Sequence, residues 1–236
     1  MKRSTERNIS ILKRTASDVI TYRVRMKILS ILLALLVTFT GVVYIAAVLY
    51  EQTGSFTISI DKHEMYKYGL SLSETRDMTK PTTTLNAKIA EKMTNISGDT
   101  IDANVDMIDG EHNGRDYIAY TFYVQNAGEA EVAYDYEIRM SGVTNGLDEA
   151  IRIRLYVDGG EPVDYAKTKS DGSGAEPGTT EFHTDTTVLL DRVDGFEPGD
   201  VTKFTVVIWI EGNDPDCIDW LIGGKMRLDM QISVAH

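Results

Sequence analysis

Cysteine is nearly absent from these 236 residues: Cys217 is the only one, so no disulfide can form within the chain and its fold rests on noncovalent packing. In an oxidising exterior, Cys217 is expected either as a small buried hydrophobe or as the donor of an intermolecular disulfide. Histidine is scarce too, with four residues, and proline numbers five. Basic residues are deficient over most of the length: residues 1–27 carry a net charge of +6, while the remainder carries −18. A body this acidic excludes the clustered Lys and Arg that nucleic acid rewards, and it disfavours lying flat on anionic lipid. Catalytic signatures are also missing. There is no G-x-S-x-G elbow, no C-x-x-C and no glycine-rich phosphate loop followed by Lys.

One region lacks charge altogether. Ile28–Tyr50 is a run of 23 residues without a charged side chain, bounded by Lys27 and Glu51. At about 1.5 Å per helical residue it reaches roughly 35 Å, enough to cross a hydrocarbon core of about 30 Å. The reading is a transmembrane helix, with the lipid bilayer as its partner and Tyr50 at the level of an interfacial aromatic. The basic flank places residues 1–27 in the cytoplasm and residues 51–236 outside, so localisation is a cell membrane crossed once. A cleaved signal peptide is disfavoured by the length of the run and by Ala46-Ala47-Val48-Leu49-Tyr50 at its end. Within the flank, Ile9, Leu12, Ala16, Val19 and Ile20 recur near helical spacing, as an amphipathic helix on the inner leaflet would require; a solvated topogenic flank is the simpler reading.

Beyond the anchor the pattern switches to period two. Phe56, Ile58 and Ile60 share a face; so do Tyr66, Tyr68, Leu70 and Leu72; Ile118, Tyr120, Phe122 and Val124; and Val132, Tyr134, Tyr136, Ile138 and Met140. Ile151, Ile153, Leu155 and Val157, then Phe204, Val206, Ile208 and Ile210, then Met226 through Val234 continue it. Repeated alternation means strands with one face in a core, and turns such as Asn126-Ala127-Gly128 and Glu197-Pro198-Gly199-Asp200 separate them. The expected fold is all-β, an antiparallel sandwich. Three stretches depart from it: residues 85–98 as a short helix or crossover, residues 98–116 as a long loop, and residues 167–185 as a mobile surface loop. Trp209 lies on the face opposite Phe204–Ile210, so it is either covered by a loop or exposed as a contact patch.

Chemistry-bearing residues are few. His63-Glu64-Met65-Tyr66-Lys67 begins like a zinc-protease motif but carries Lys where the second imidazole is required. His112 and His183 stand alone in loops. Asn95-Ile96-Ser97 fits a glycosylation acceptor, meaningful only in a eukaryotic secretory pathway. Two acidic loops are calcium candidates: Asp102, Asp106, Asp109, Glu111, Asn113 and Asp116 in one, Asn213, Asp214, Asp216 and Asp219 in the other. Calcium needs six to eight oxygens from a flexible loop, and neither set follows the EF-hand register, so solvated turn carboxylates are the competing reading.

Several segments taken together carry a resemblance: Gly54-Ser55-Phe56-Thr57, the strand Asp116 to Gly128 with Tyr120-x-Phe122-x-Val124-x-Asn126-x-Gly128, Glu149 to Tyr156, Phe196-Glu197-Pro198-Gly199-Asp200, and Val207 to Cys217. Over about residues 54–235 the chain resembles a group of bacterial membrane-anchored surface proteins, and more distantly it is similar to the TasA/camelysin family of biofilm-matrix fibre proteins. That resemblance implies a jelly-roll-like sandwich able to assemble with itself or with a related matrix protein. Camelysin-type members are described as casein-cleaving metalloproteases, but no zinc motif is present here to inherit. Members normally carry a cleaved signal, whereas this chain looks anchored. The expectation is a structural, adhesion or matrix-assembly module and not an enzyme. A ligand- or calcium-binding sensor domain is the alternative and a cell-surface hydrolase the more distant one. Glu51 to Gly54 form the whole tether between span and first strand, about 13–14 Å when extended.

Overall fold

A computed structural model describes residues 16–51, 55–88 and 93–235. The chain divides into two compact units after Glu51. The first contains α1 (Ala16–Glu51), which starts twelve residues before the predicted span because nothing between Ala16 and Lys27 is Gly or Pro and its Arg, Lys and Met are good helix formers. Residues 1–15 of the predicted amphipathic segment lie outside the described residues. Ile20–Ala46 has a mean hydropathy of 2.5 and is long and apolar enough to cross a membrane, and its side chains are exposed all around. Three of its hydroxyls bond their own backbone: Ser30 donates to Met26 O at 2.5 Å, Thr38 to Ala34 O at 2.9 Å and Thr40 to Leu36 O at 3.0 Å.

The second unit is mostly β. Its elements are β1 (Ser55–Ile60), α2 (Lys62–Tyr68), β2 (Leu70–Ser73), β3 (Thr84–Lys88), β4 (Gly110–Glu111), β5 (Tyr117–Asn126), β6 (Val132–Ser141), β7 (Ile151–Val157), β8 (Val163–Ala166), β9 (Thr180–Glu181), β10 (Thr187–Phe196), β11 (Val201–Ile210) and β12 (Arg227–Val234). Among the described residues one sheet has the order β10-β6-β12-β1-β3 and the other β2-β5-β11-β7-β8-β9, with β4 also paired to β5. Antiparallel pairing dominates, but β1 runs parallel to β12, Phe56 opposite Leu228 and Ile60 opposite Ile232, and β8 runs parallel to β9.

Both sheets contribute alternate side chains to one core. Phe56, Ile58, Tyr134, Ile138, Met230 and Ile232 come from the first, Tyr120, Phe122, Val124, Ile153, Phe204 and Val206 from the second. Aromatic rings lock the interior: Phe122 and Phe204 stack with centroids 5.3 Å apart, and Tyr136 meets Phe204 edge-on at 5.1 Å. This is the predicted sandwich.

Two local expectations change. Residues 62–68 form a helix and not a strand, because the Asp61 carboxylate accepts the His63 N–H at 2.7 Å and Gly69, at φ +80°, returns its N–H to Met65 O. The alternation of Tyr66 and Tyr68 is overridden by these two caps. Residues 84–88 are strand and not helix, paired antiparallel to β1; residues 89–92 lie outside the described residues.

The long loop at 98–116 acts as a cover. Ile101 and Val105 pack on Ala119, Val207 and Trp209, a second small core on the outer face of the β5–β11 pair. This is why β5 and β11 are buried on nearly every residue. Trp209 is therefore covered, at 1 % exposure.

Candidate functional site

The densest polar constellation sits beside that cover, on the outer face of β7 and β11. Register sets Arg152 opposite Trp209 and Arg154 opposite Val207, and β8 brings Asp164 opposite Arg154. Arg154 forks onto Asp164 at 2.6 and 2.8 Å and lies 5.2 Å from the Trp209 ring centre. The Asp164 bond holds the Arg154 guanidinium charged, with its pKa raised. Arg152 donates through Nη2 to Asp214 at 2.5 Å and through Nη1 to Ile151 O at 3.1 Å; both members of the ion pair are buried, at 4 % and 3 % side-chain exposure.

Glu211 completes the group. It accepts the Trp209 indole N–H at 2.9 Å, the Gly98 N–H at 2.9 Å and the Asn213 N–H at 3.1 Å. Burial works against its ionisation, but these bonds and the charge of Arg152 outweigh it and hold its pKa below the usual carboxylate value. A cleft of about 270 Å³ opens here, lined by Gly98, Arg152, Arg154, Glu176, Trp209 and Glu211 among others. The two arginines and their acids neutralise one another, so the arrangement fastens the 93–98 and 211–217 segments to the sheet.

The other main depression, about 430 Å³, lies between β2 and β3 and is lined by Ser73, Glu74, Thr75, Lys80 and Asn86 among others. The Tyr120 hydroxyl donates to Glu74 from within the core, and burial, reinforced by that carboxylate, raises its pKa. Asp77 accepts from Thr75 Oγ1 at 2.6 Å, which lowers its pKa and closes the turn above the groove.

The calcium candidates are distributed among separate tasks. Asp106 is buried against Lys203 Nζ at 3.0 Å. Asp109 accepts the Tyr123 hydroxyl at 2.6 Å, and Glu111 accepts from Asn113 at 2.8 Å. Asp116 accepts the Thr94 N–H at 3.0 Å and hydroxyl at 2.7 Å, which lowers its pKa. Asp214 belongs to Arg152. Asp216 accepts the Ser170 hydroxyl at 2.6 Å and N–H at 3.1 Å, again with a lowered pKa. Asp219 lies exposed in the 3-10 turn Asp219–Leu221. Among the described residues no three His, Cys, Asp or Glu side chains converge as metal ligands.

The histidines are similarly occupied or dispersed. His112 sits between two carbonyls, Nδ1 2.8 Å from Gly110 O and Nε2 2.8 Å from Val105 O, so it braces the cover loop. His63 is exposed on α2 and His183 is exposed after β9. Cys217 is half-buried and its Sγ accepts from Asn95 Nδ2 at 3.3 Å. Sequence reasoning missed the Arg152–Asp214 pair. Its one signal was an Arg inside the alternating strand 151–157, but the distance of 62 residues to Asp214 hid the partner.

No family model matches the chain, and no curated protein matches it. Two solved structures of a β-glucosidase from Kluyveromyces marxianus show a slight likeness. The glucose complex is 11 % identical over 68 % of this chain and 15 % of that one, with a TM-score of 0.24. The selenomethionine form is 10 % identical over 68 % and 17 %, with a TM-score of 0.25. The chain thus spans about a sixth of those proteins, and likenesses this weak carry no argument.

Proposed function

We propose that this is a single-pass surface protein whose outer β-sandwich is a structural, adhesion or matrix-assembly module of the kind its resemblance to the TasA/camelysin family suggests, and not an enzyme. The observation that supports this most is the interior: both sheets fill it with interlocking aromatic and branched side chains, and the charged residues on the outside are spent on one another in fastening loops. In this reading α1 spans the bilayer with the +6 flank inside and the sandwich outside. Assembly takes place with further copies or a related matrix protein.

The test is imaging of purified residues 52–236 and of the full chain in detergent, with and without calcium. Filaments or elongated oligomers are expected more readily from residues 52–236. A species that stays monomeric at high concentration in both conditions overturns the matrix reading, and assembly only with calcium turns it toward a calcium-dependent module.

A further inference from the structure

The connection between β11 and β12 presents an unusual surface. Ile218, Trp220 and Ile222 are exposed at 59 %, 73 % and 76 %, whereas Leu221 between them is buried. The loop is ordered by its own bonds and by the neighbouring 142–146 turn. Ile222 N donates to Asp219 O at 3.2 Å, Gly224 N to Leu221 O at 2.8 Å, Asn145 Nδ2 to Ile222 O at 3.0 Å, and Thr144 N to Lys225 O at 2.8 Å. With Leu221 as the inward peg, the other three apolar side chains are held outward.

The parallel pairing of β1 with β12 says where this loop stands. Phe56 is opposite Leu228, so the first residue of β1 lies at the end of the sandwich from which β12 begins, and β12 begins five residues after Ile222. Only residues 52–54 separate Ser55 from the end of α1 at Glu51, a reach of roughly 14 Å when fully extended. The chain therefore enters the sandwich at the end that carries Ile218, Trp220 and Ile222. Trp is enriched at the level of lipid headgroups, and the two Ile beside it add apolar area that can enter the acyl region below. The three side chains expose on the order of 400 Å², about half of what each partner contributes to a stable protein interface.

We infer that Ile218, Trp220 and Ile222 form a second membrane contact, inserting into the headgroup–acyl boundary of the same bilayer that α1 crosses. The inference rests on the membrane-spanning reading of α1. The contact is apolar in character. The loop's own acids do not drive it: Asp216 is held by Ser170, and Asp219 is an exposed acid between Ile218 and Trp220.

The test uses the full chain reconstituted in phosphatidylcholine vesicles, with or without bromine on the upper acyl carbons as a short-range quencher of tryptophan. The readout is the emission of wild type against Trp220→Phe, which retains only the buried Trp209. Brominated lipid is expected to reduce wild-type emission and leave the Trp220→Phe emission unchanged. Ile218→Ser with Ile222→Ser should lessen the quenching while Trp220 remains. Flotation is measured on the same samples: failure to float with the vesicles refutes the span, whereas flotation with unquenched Trp220 overturns this inference alone. Equal quenching in wild type and Trp220→Phe overturns it as well. So does a blue shift of Trp220 that follows protein density in the vesicle and is indifferent to bromine, which would assign the patch to a second copy of the chain.

Discussion

At one end of the sandwich β5 passes to β6 and β10 to β11 through turns of five and four residues, and at the other end β6 passes to β7 and β11 to β12 through nine and sixteen. The short end is tied by backbone, by the Asp200 carboxylate that accepts the Glu197 N–H at 2.9 Å, and by one buried amide. Asn126 donates through Nδ2 to Ala130 O at 2.9 Å and Phe196 O at 2.8 Å, and its Oδ1 accepts the Gly128 N–H at 2.9 Å, so a single side chain knots both turns. Gly69 and Gly128 approach so closely that a Cβ on Gly69 would stand 2.3 Å from Gly128 N. The long end is tied by charge: Arg152–Asp214, Lys167 Nζ at 2.7 Å from both Asp148 and Glu149, and the Glu211 cluster. Short turns let the peptide groups satisfy one another, whereas long loops leave polar groups that side chains must meet. The buried amide is indifferent to pH, and the ion pairs of the long end are not.

The largest effect is expected from breaking the long end at its buried ion pair. Asp214→Ala leaves the Arg152 guanidinium buried and unpaired, and should cost about 3–5 kcal/mol in urea unfolding. Replacing both partners by Met and Leu should cost much less, because no charge is then stranded. At the short end, Asn126→Ala strands one N–H and two carbonyls and should cost about 2–3 kcal/mol. That cost should be the same at pH 7 and pH 4, since no ionisable group takes part; a strong pH dependence would break the contrast between the ends. The smallest effect sharpens it. Glu211 has a lowered folded-state pKa, so its contribution is full above the unfolded value of about 4.3 and is lost as pH falls through the folded value. Glu211→Gln should therefore destabilise by on the order of 1 kcal/mol at pH 7, and its difference from wild type should close as pH is lowered toward 3. Urea midpoints of both proteins across that range provide the check.

The legibility of this chain follows the same division. Strands β6 and β12 were readable because one face meets the core and burial alternates, and β5, β7 and β11 because their larger apolar side chains recur at every second position. Strand β10 was not, since Thr187–Phe196 bulges at both ends and its burial does not alternate. The continuous burial of β5 and β11 has its cause in a loop that precedes β11 by about 100 residues, which no local pattern in either strand encodes. For the polar cluster, the residue types were visible but their partners were not. Asp214 and Asp216 read as equivalent acids on one loop, yet one neutralises a buried arginine and the other caps an exposed serine turn.

Strand β1 lies between β12 and β3, with five paired positions on each side. Consider a pull applied at Ser55 along the strand axis. Were the sandwich held from elsewhere, both ladders would be loaded in shear, so that many hydrogen bonds must give way together. A strand peeled from its end would release them one by one. The way β1 is seated thus makes it a mechanical clamp against force applied at its first residue.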